Sequence, residues 1–102
     1  MCRRWAGGAF ATLVWFKKDI VRWTGATPKV YRSSPMAQRS HCPTCRTPIH
    51  LAYNEGDEIA LAAGTVDHPE ELRPTHHYGI ESRLEWADIA LNLPGQSTRE
   101  QW

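Results

Sequence analysis

Cys42 and Cys45 are the residues whose type and spacing could carry chemistry. In Cys42-Pro43-Thr44-Cys45 the two intervening residues let one tight turn aim both thiolates at a single ion, and zinc suits such a knuckle. Pro43 restricts the loop further. A redox reading is weaker, because thioredoxin-like pairs sit in a βαβ setting that the flanking residues do not provide. Two unmetallated thiols are the plain alternative. His41 and His50 could in principle complete a metal site, but their spacing does not reproduce a zinc finger, so ordinary strand residues are the expectation.

Cys2 stands alone, followed by Arg3-Arg4. Two neighbouring guanidiniums favour thiolate over thiol, which suits either a metal ligand or a reactive cysteine. A free thiol beside a disordered terminus is the bland reading. The cysteines number three, an odd count that argues against a closed disulfide framework and also leaves a four-cysteine metal site incomplete. His76-His77 are neighbours in an extended pattern and therefore point to opposite faces, so they cannot easily share a role. Trp15 and Trp86 read as core or rim rather than as stacking platforms.

The elements that must position these groups read as short strands. Ala9 to Phe16 is apolar on both alternating faces, which predicts a strand buried on both sides. Lys17-Lys18-Asp19 reads as a turn, and Ile20, Val21 and Trp23 resume extended structure until Thr24 to Pro28 breaks it. Val30-Tyr31 begins a strand that ends at Ser33-Ser34-Pro35. Ala37 to His41 leads into the knuckle. Ile49, Leu51 and Tyr53 alternate with Pro48, His50 and Ala52, a one-sided strand. Asn54 to Asp57 is a turn, and Ile59 to Ala63 is a β candidate whose alanines also suit helix. Pro74 to Ser82 reads as another strand with Tyr78 and Ile80 on one face, and Trp86 to Ile89 as one helical turn. The tail from Asn92 to Trp102 is expected to fray, unless Trp102 docks. Six or seven short strands without sustained helical periodicity give one mainly β domain with short antiparallel strands.

Charge is nearly balanced, 12 basic against 11 acidic residues. No basic stripe indicates a phosphate-neutralising surface, so nucleic acid is not an expected partner. Arg3-Arg4 and Lys17-Lys18 read as solvated faces. No apolar stretch approaches the roughly 20 residues of a spanning helix, and no signal peptide follows Met1, so no membrane partner is expected and the expected address is cytoplasmic.

Four stretches, in order, resemble the glutathione-dependent formaldehyde-activating enzyme family, also called centromere protein V-like. Cys2-Arg3-Arg4-Trp5-Ala6-Gly7-Gly8-Ala9-Phe10 resembles the end of its C-x-C-x-x-C motif and the glycine-rich entry to a strand. Tyr31-Arg32-Ser33-Ser34, Arg39 and Cys42-Pro43-Thr44-Cys45-Arg46-Thr47-Pro48-Ile49 resemble its second cysteine motif. Gly64-Thr65-Val66-Asp67-His68-Pro69 is similar to its Gly-Ser-Leu-Asp-x-Pro segment, and His77-Tyr78-Gly79-Ile80-Glu81-Ser82-Arg83-x-x-Trp86 to its closing motif.

The resemblance implies an Mss4-like β-tent fold with two zinc sites. It places Cys42 and Cys45 in a structural four-cysteine site and Cys2 as the last ligand of a second, catalytic zinc. It implies a carbon-sulfur lyase acting on a glutathione-type thiol adduct such as S-hydroxymethylglutathione. Arg3 and Arg4 could steer a glutathione carboxylate, although solvation is their plainer role. The family's first C-x-C is absent, as are two of the three cysteines of the second site. The chain therefore reads as a family domain over residues 1–102 that lacks its N-terminal strands, with Met1 an internal residue taken as an initiator. Arg46 stands where the family has glycine, a position that can require positive φ, and Glu85 replaces a common proline. The expectations are weak or substoichiometric zinc binding and no turnover in this form. A non-catalytic zinc-binding or protein-interaction module is the alternative.

Overall fold

The computed structural model describes residues 1–88 and 92–95. Among these residues five strands form one antiparallel sheet: β1 Leu13–Lys17, β2 Lys29–Arg32, β3 Ala37–His41, β4 Pro48–Tyr53 and β5 Glu58–Ala62, in the order β1-β5-β4-β3-β2. The mainly β reading holds. Strands β2 to β5 are joined as successive hairpins, whereas β1 closes the far edge by pairing Leu13 with Ala62 and Lys17 with Glu58. The connection from β1 to β2 must therefore cross from one sheet edge to the other.

Local chemistry explains the hairpin turns. Ser34 Oγ accepts from the Ala37 amide at 3.1 Å, and the Ser33 amide donates to the Ala37 carbonyl at 3.0 Å, so Ser33 to Met36 folds tightly between β2 and β3. At the β4–β5 turn, Lys18 Nζ donates to the carbonyls of Tyr53 (3.0 Å) and Gly56 (2.5 Å), and Lys17 pairs with Asp57 at 3.0 Å. The two lysines read as a solvated face thus lace β1 to this turn. Their side chains remain exposed, so the ion pair itself contributes little.

The core sits under the middle of the sheet. Leu51 at the centre packs with Ala37 and Ala60, and Leu13 leans against them. Register alternation places Arg39, Leu51, Ala60 and Trp15 in one row across this face. The opposite face carries Ser40, His50, Ala52 and Ile59, all buried. The apolar core is small, and a domain of this length has little burial to spare.

Several elements differ from expectation. Strand β1 starts at Leu13 rather than Ala9, and it is an edge strand: Trp15 is 42% and Phe10 56% exposed. Apolar residues on both faces predicted double burial, but β1 has a hydrogen-bonded neighbour on one side only. Trp15 instead stacks on Tyr53 with ring centroids 6.1 Å apart. Ile20 to Trp23 is not a strand, because a 3-10 turn at Lys18–Ile20 ends β1. Strand β4 is covered on both faces, with consecutive His50, Leu51 and Ala52 buried, because it is the central strand.

Pro74 to Ser82 forms no strand. Gly79 takes φ 68°, which leaves the extended region, and Tyr78 is 91% exposed, so neither backbone nor burial drives pairing. The segment ends in a 3-10 turn at Ile80–Ser82. A further 3-10 turn at Glu85–Ala87 matches the predicted helical turn, while Ile89 lies outside the described residues, as do residues 96–102 of the tail.

A short helix, α1 Cys2–Ala6, was not foreseen. Its stop signal is Gly7, which adopts φ 71° and donates its amide to the Arg3 carbonyl at 2.8 Å. The helix docks through Trp5 Nε1 to the Ser40 carbonyl (3.2 Å) and Arg3 Nη1 to the Ser82 carbonyl (2.8 Å).

Candidate metal centre

The knuckle is the turn between β3 and β4. The Cys42 amide donates to the Thr47 carbonyl at 2.8 Å, and the Arg46 amide donates back to the Cys42 carbonyl at 3.1 Å. These bonds close a loop in which Pro43, Thr44, Cys45, Arg46 and Thr47 are all exposed and Cys42 is half-buried. Closing it needs a left-handed residue, and Arg46 supplies it at φ 67°. The positive φ anticipated at the position of the family's glycine is present, borne by a residue for which it is strained.

The two thiols share this turn. Cys45 Sγ lies 3.0 Å from Thr47 Oγ1. The Thr47 hydroxyl, the Thr47 backbone and the Cys42 thiol lower the Cys45 pKa to about 7. A thiolate accessible at neutral pH on an exposed turn can ligate a soft or borderline cation, or act as a nucleophile.

As a zinc site the pair supplies two donors of a tetrahedral four. His41 is not aimed at them: its Nε2 lies 3.2 Å from Arg46 Nη1, and its ring leans on Tyr31. His50 faces the interior, 7% exposed, with Nδ1 2.5 Å from Ser40 Oγ and its ring 5.3 Å from that of Trp23. Burial pushes its pKa down. Both histidines lie on strands, as expected. Among the described residues, the group of three or more His, Cys, Asp or Glu donors within 4.8 Å of one another is His68, Glu70 and Glu71, which is fully exposed and does not include a cysteine. Consecutive side chains on the 3-10 turn at Pro69–Glu71 account for that proximity. The donor set of the knuckle therefore fits half a zinc site.

Cys2 is held elsewhere. Its sulfur accepts from Arg39 Nη2 at 3.1 Å, on the face of the sheet covered by α1. Arg39 is 6% exposed, donates to Ser33 Oγ through Nη1, and keeps its Nε without a partner. A buried guanidinium of this kind was invisible in the sequence, where Arg39 is one more strand residue. Arg3 binds the Ser82 carbonyl, and His76 and His77 are exposed on the irregular segment.

Comparison with known proteins adds one match. The family model described as "Glutathione-dependent formaldehyde-activating enzyme" covers residues 1–82. Neither the curated proteins nor the solved structures contain a match.

Proposed function

Because the chain belongs to the glutathione-dependent formaldehyde-activating enzyme family, we propose that it is a zinc-binding protein whose Cys42–Cys45 knuckle is the metal-binding element. The observation that carries this reading is the pair of cysteines on one exposed, backbone-closed turn, where the Thr47 hydroxyl and the Cys42 thiol favour the Cys45 thiolate. Two thiolates at this spacing match the half-site that zinc knuckles use. When bound, zinc would supply a fixed, positively charged anchor for these sulfurs.

The family name points to carbon-sulfur chemistry on glutathione-type adducts such as S-hydroxymethylglutathione, with Cys2 as a second-site ligand. In this chain Cys2 is the one thiol outside the knuckle, and its sulfur is engaged by Arg39. One thiolate does not make a three-ligand catalytic centre. The reading supported best for these 102 residues is zinc binding at the knuckle, with a cytoplasmic address, and no helix among the described residues is long and apolar enough to cross a membrane.

Cobalt(II) substitution tests the metal reading. Thiolate-to-cobalt charge-transfer absorption should grow on titration and vanish in Cys42→Ser and Cys45→Ser. Absorption that survives both substitutions rejects the knuckle as the site. Turnover of a formaldehyde–glutathione mixture above the uncatalysed rate, abolished by Cys2→Ser, would add a catalytic role for Cys2 to this reading.

A further inference from the structure

We infer that the Cys42–Cys45 turn is a thiol switch: when it holds no metal, a small disulfide oxidises the pair to an intramolecular disulfide, and the oxidised turn cannot bind zinc. The inference rests on the zinc-binding reading above and adds a means of regulating that site.

The local backbone brings the two residues together. The Arg46 amide donates to the Cys42 carbonyl at 3.1 Å and closes a hydrogen-bonded turn over residues 43–45. At helical turn dimensions, Cα atoms three residues apart are about 5 Å from one another. A disulfide spans Cα separations of roughly 4.4–6.8 Å. The Cys42 amide closes the same loop a second time by donating to the Thr47 carbonyl at 2.8 Å, and Pro43 fixes one φ within it. All of these constraints lie within residues 42–47. They keep the two cysteines within bridging range whether or not an ion lies between the sulfurs.

Exposure sets the order of attack. Cys45 is exposed and Cys42 is half-buried. The Cys45 thiolate meets the incoming disulfide first. Its sulfur bonds to one sulfur of the oxidant, the oxidant's S–S bond breaks, and the other half leaves as a thiolate. The Cys42 thiol then gives its proton to solvent and attacks the Cys45 sulfur, expelling the second half as a thiolate. Two electrons pass from the protein to the oxidant. Cys2 takes no part, because its sulfur lies against Arg39 Nη2 at 3.1 Å on the face covered by α1.

The oxidant and the metal compete for the same two atoms. A bound ion occupies both sulfurs, so neither is free to attack. A disulfide offers no thiolate, so the ion cannot be held, and it leaves without changing oxidation state. The turn lacks the βαβ setting of thioredoxin-like catalysts, joining β3 to β4 as a hairpin instead. The disulfide is therefore a state of the metal site and not a step in turnover.

The test incubates the reduced 102-residue chain with oxidised glutathione, once after chelator treatment and once after zinc loading. Thiols are then mapped by alkylation and by intact and peptide mass spectrometry. The expected product of the chelated chain is a linked Cys42–Cys45 peptide with Cys2 still alkylatable. The oxidised chain should give no thiolate-to-cobalt absorption, and dithiothreitol should restore it. The zinc-loaded chain should resist closure. Cys42→Ser should stop at a mixed disulfide on Cys45, with circular dichroism establishing that its sheet is intact. A mixed disulfide that persists on Cys45 of the parent, or a bridge to Cys2 or to another chain in place of Cys42–Cys45, overturns the switch and leaves the zinc-binding reading standing on the cobalt titration. Closure at the same rate with and without zinc also overturns it. Absence of cobalt binding by the reduced chain overturns both.

Discussion

Ser40 Oγ lies 2.5 Å from His50 Nδ1 and accepts from the His50 amide at 3.2 Å, both on fully or nearly fully buried residues. The pairing sits where the β3–β4 register slips between Arg39 and His41. The hydroxyl replaces the backbone partner that the bulge removes from β4.

Ser40→Ala leaves a buried amide and a buried imidazole nitrogen unpaired. The expected cost is about 1–3 kcal/mol in chemical denaturation. An unchanged midpoint would show that the bulge needs no side-chain bond.

His50 gives a pH dependence with a definite sign. Burial lowers its folded-state pKa below the usual value of about 6.5. Its stabilising contribution is thus complete above that unfolded-state value and is lost as pH falls through the depressed folded value, when folding must exclude a proton. Thermal melts from pH 7.5 to 5 should fall more steeply for the parent than for His50→Gln. Parallel curves would remove His50 as a contributor.

Arg46 combines a strained backbone with a useful charge. Relieving φ 67° by Arg46→Gly should raise stability by about 1 kcal/mol in urea titrations, a gain reduced by the greater freedom of glycine in the unfolded chain. The same change removes a cation beside the thiols, so zinc affinity should drop while stability rises. Both quantities moving in the same direction would contradict this division of roles.

Cys45 should be the thiol that alkylates fastest in the metal-free protein. With its pKa lowered to about 7, the iodoacetamide rate should rise through a midpoint near that pH and level off above it. Thr47→Val removes the hydroxyl that lowers it most and should shift the midpoint upward. A midpoint that stays put would assign the shift to other groups.

Much of this was legible in the chain. Turn residues at Ser33-Ser34-Pro35 and Asn54 to Asp57 punctuated β2, β4 and β5 correctly, and C-x-x-C marked the knuckle between two strands. The strain at Arg46 was visible because a glycine position held an arginine. What sequence could not show depends on sheet order. Alternation does not say whether a strand is central or at an edge, so β1 was read as buried and β4 as one-sided. The apolar Tyr78 and Ile80 resembled a strand, but the left-handed Gly79 between them prevents one. Arg39 against Cys2 is a contact between residues 37 positions apart, with no local signal. Helix α1 did leave one, the Gly7 stop after two helix-favouring arginines.

The central claim is that Cys42 and Cys45 are the zinc ligands of this chain. The most direct measurement is the zinc content of purified, chelator-washed and zinc-reloaded protein by elemental analysis, for the parent and single cysteine variants. The account predicts retained zinc in the parent and in Cys2→Ser, at less than one ion per chain, and background levels in Cys42→Ser and Cys45→Ser. Equal zinc in all four proteins, or loss in Cys2→Ser alone, would contradict it.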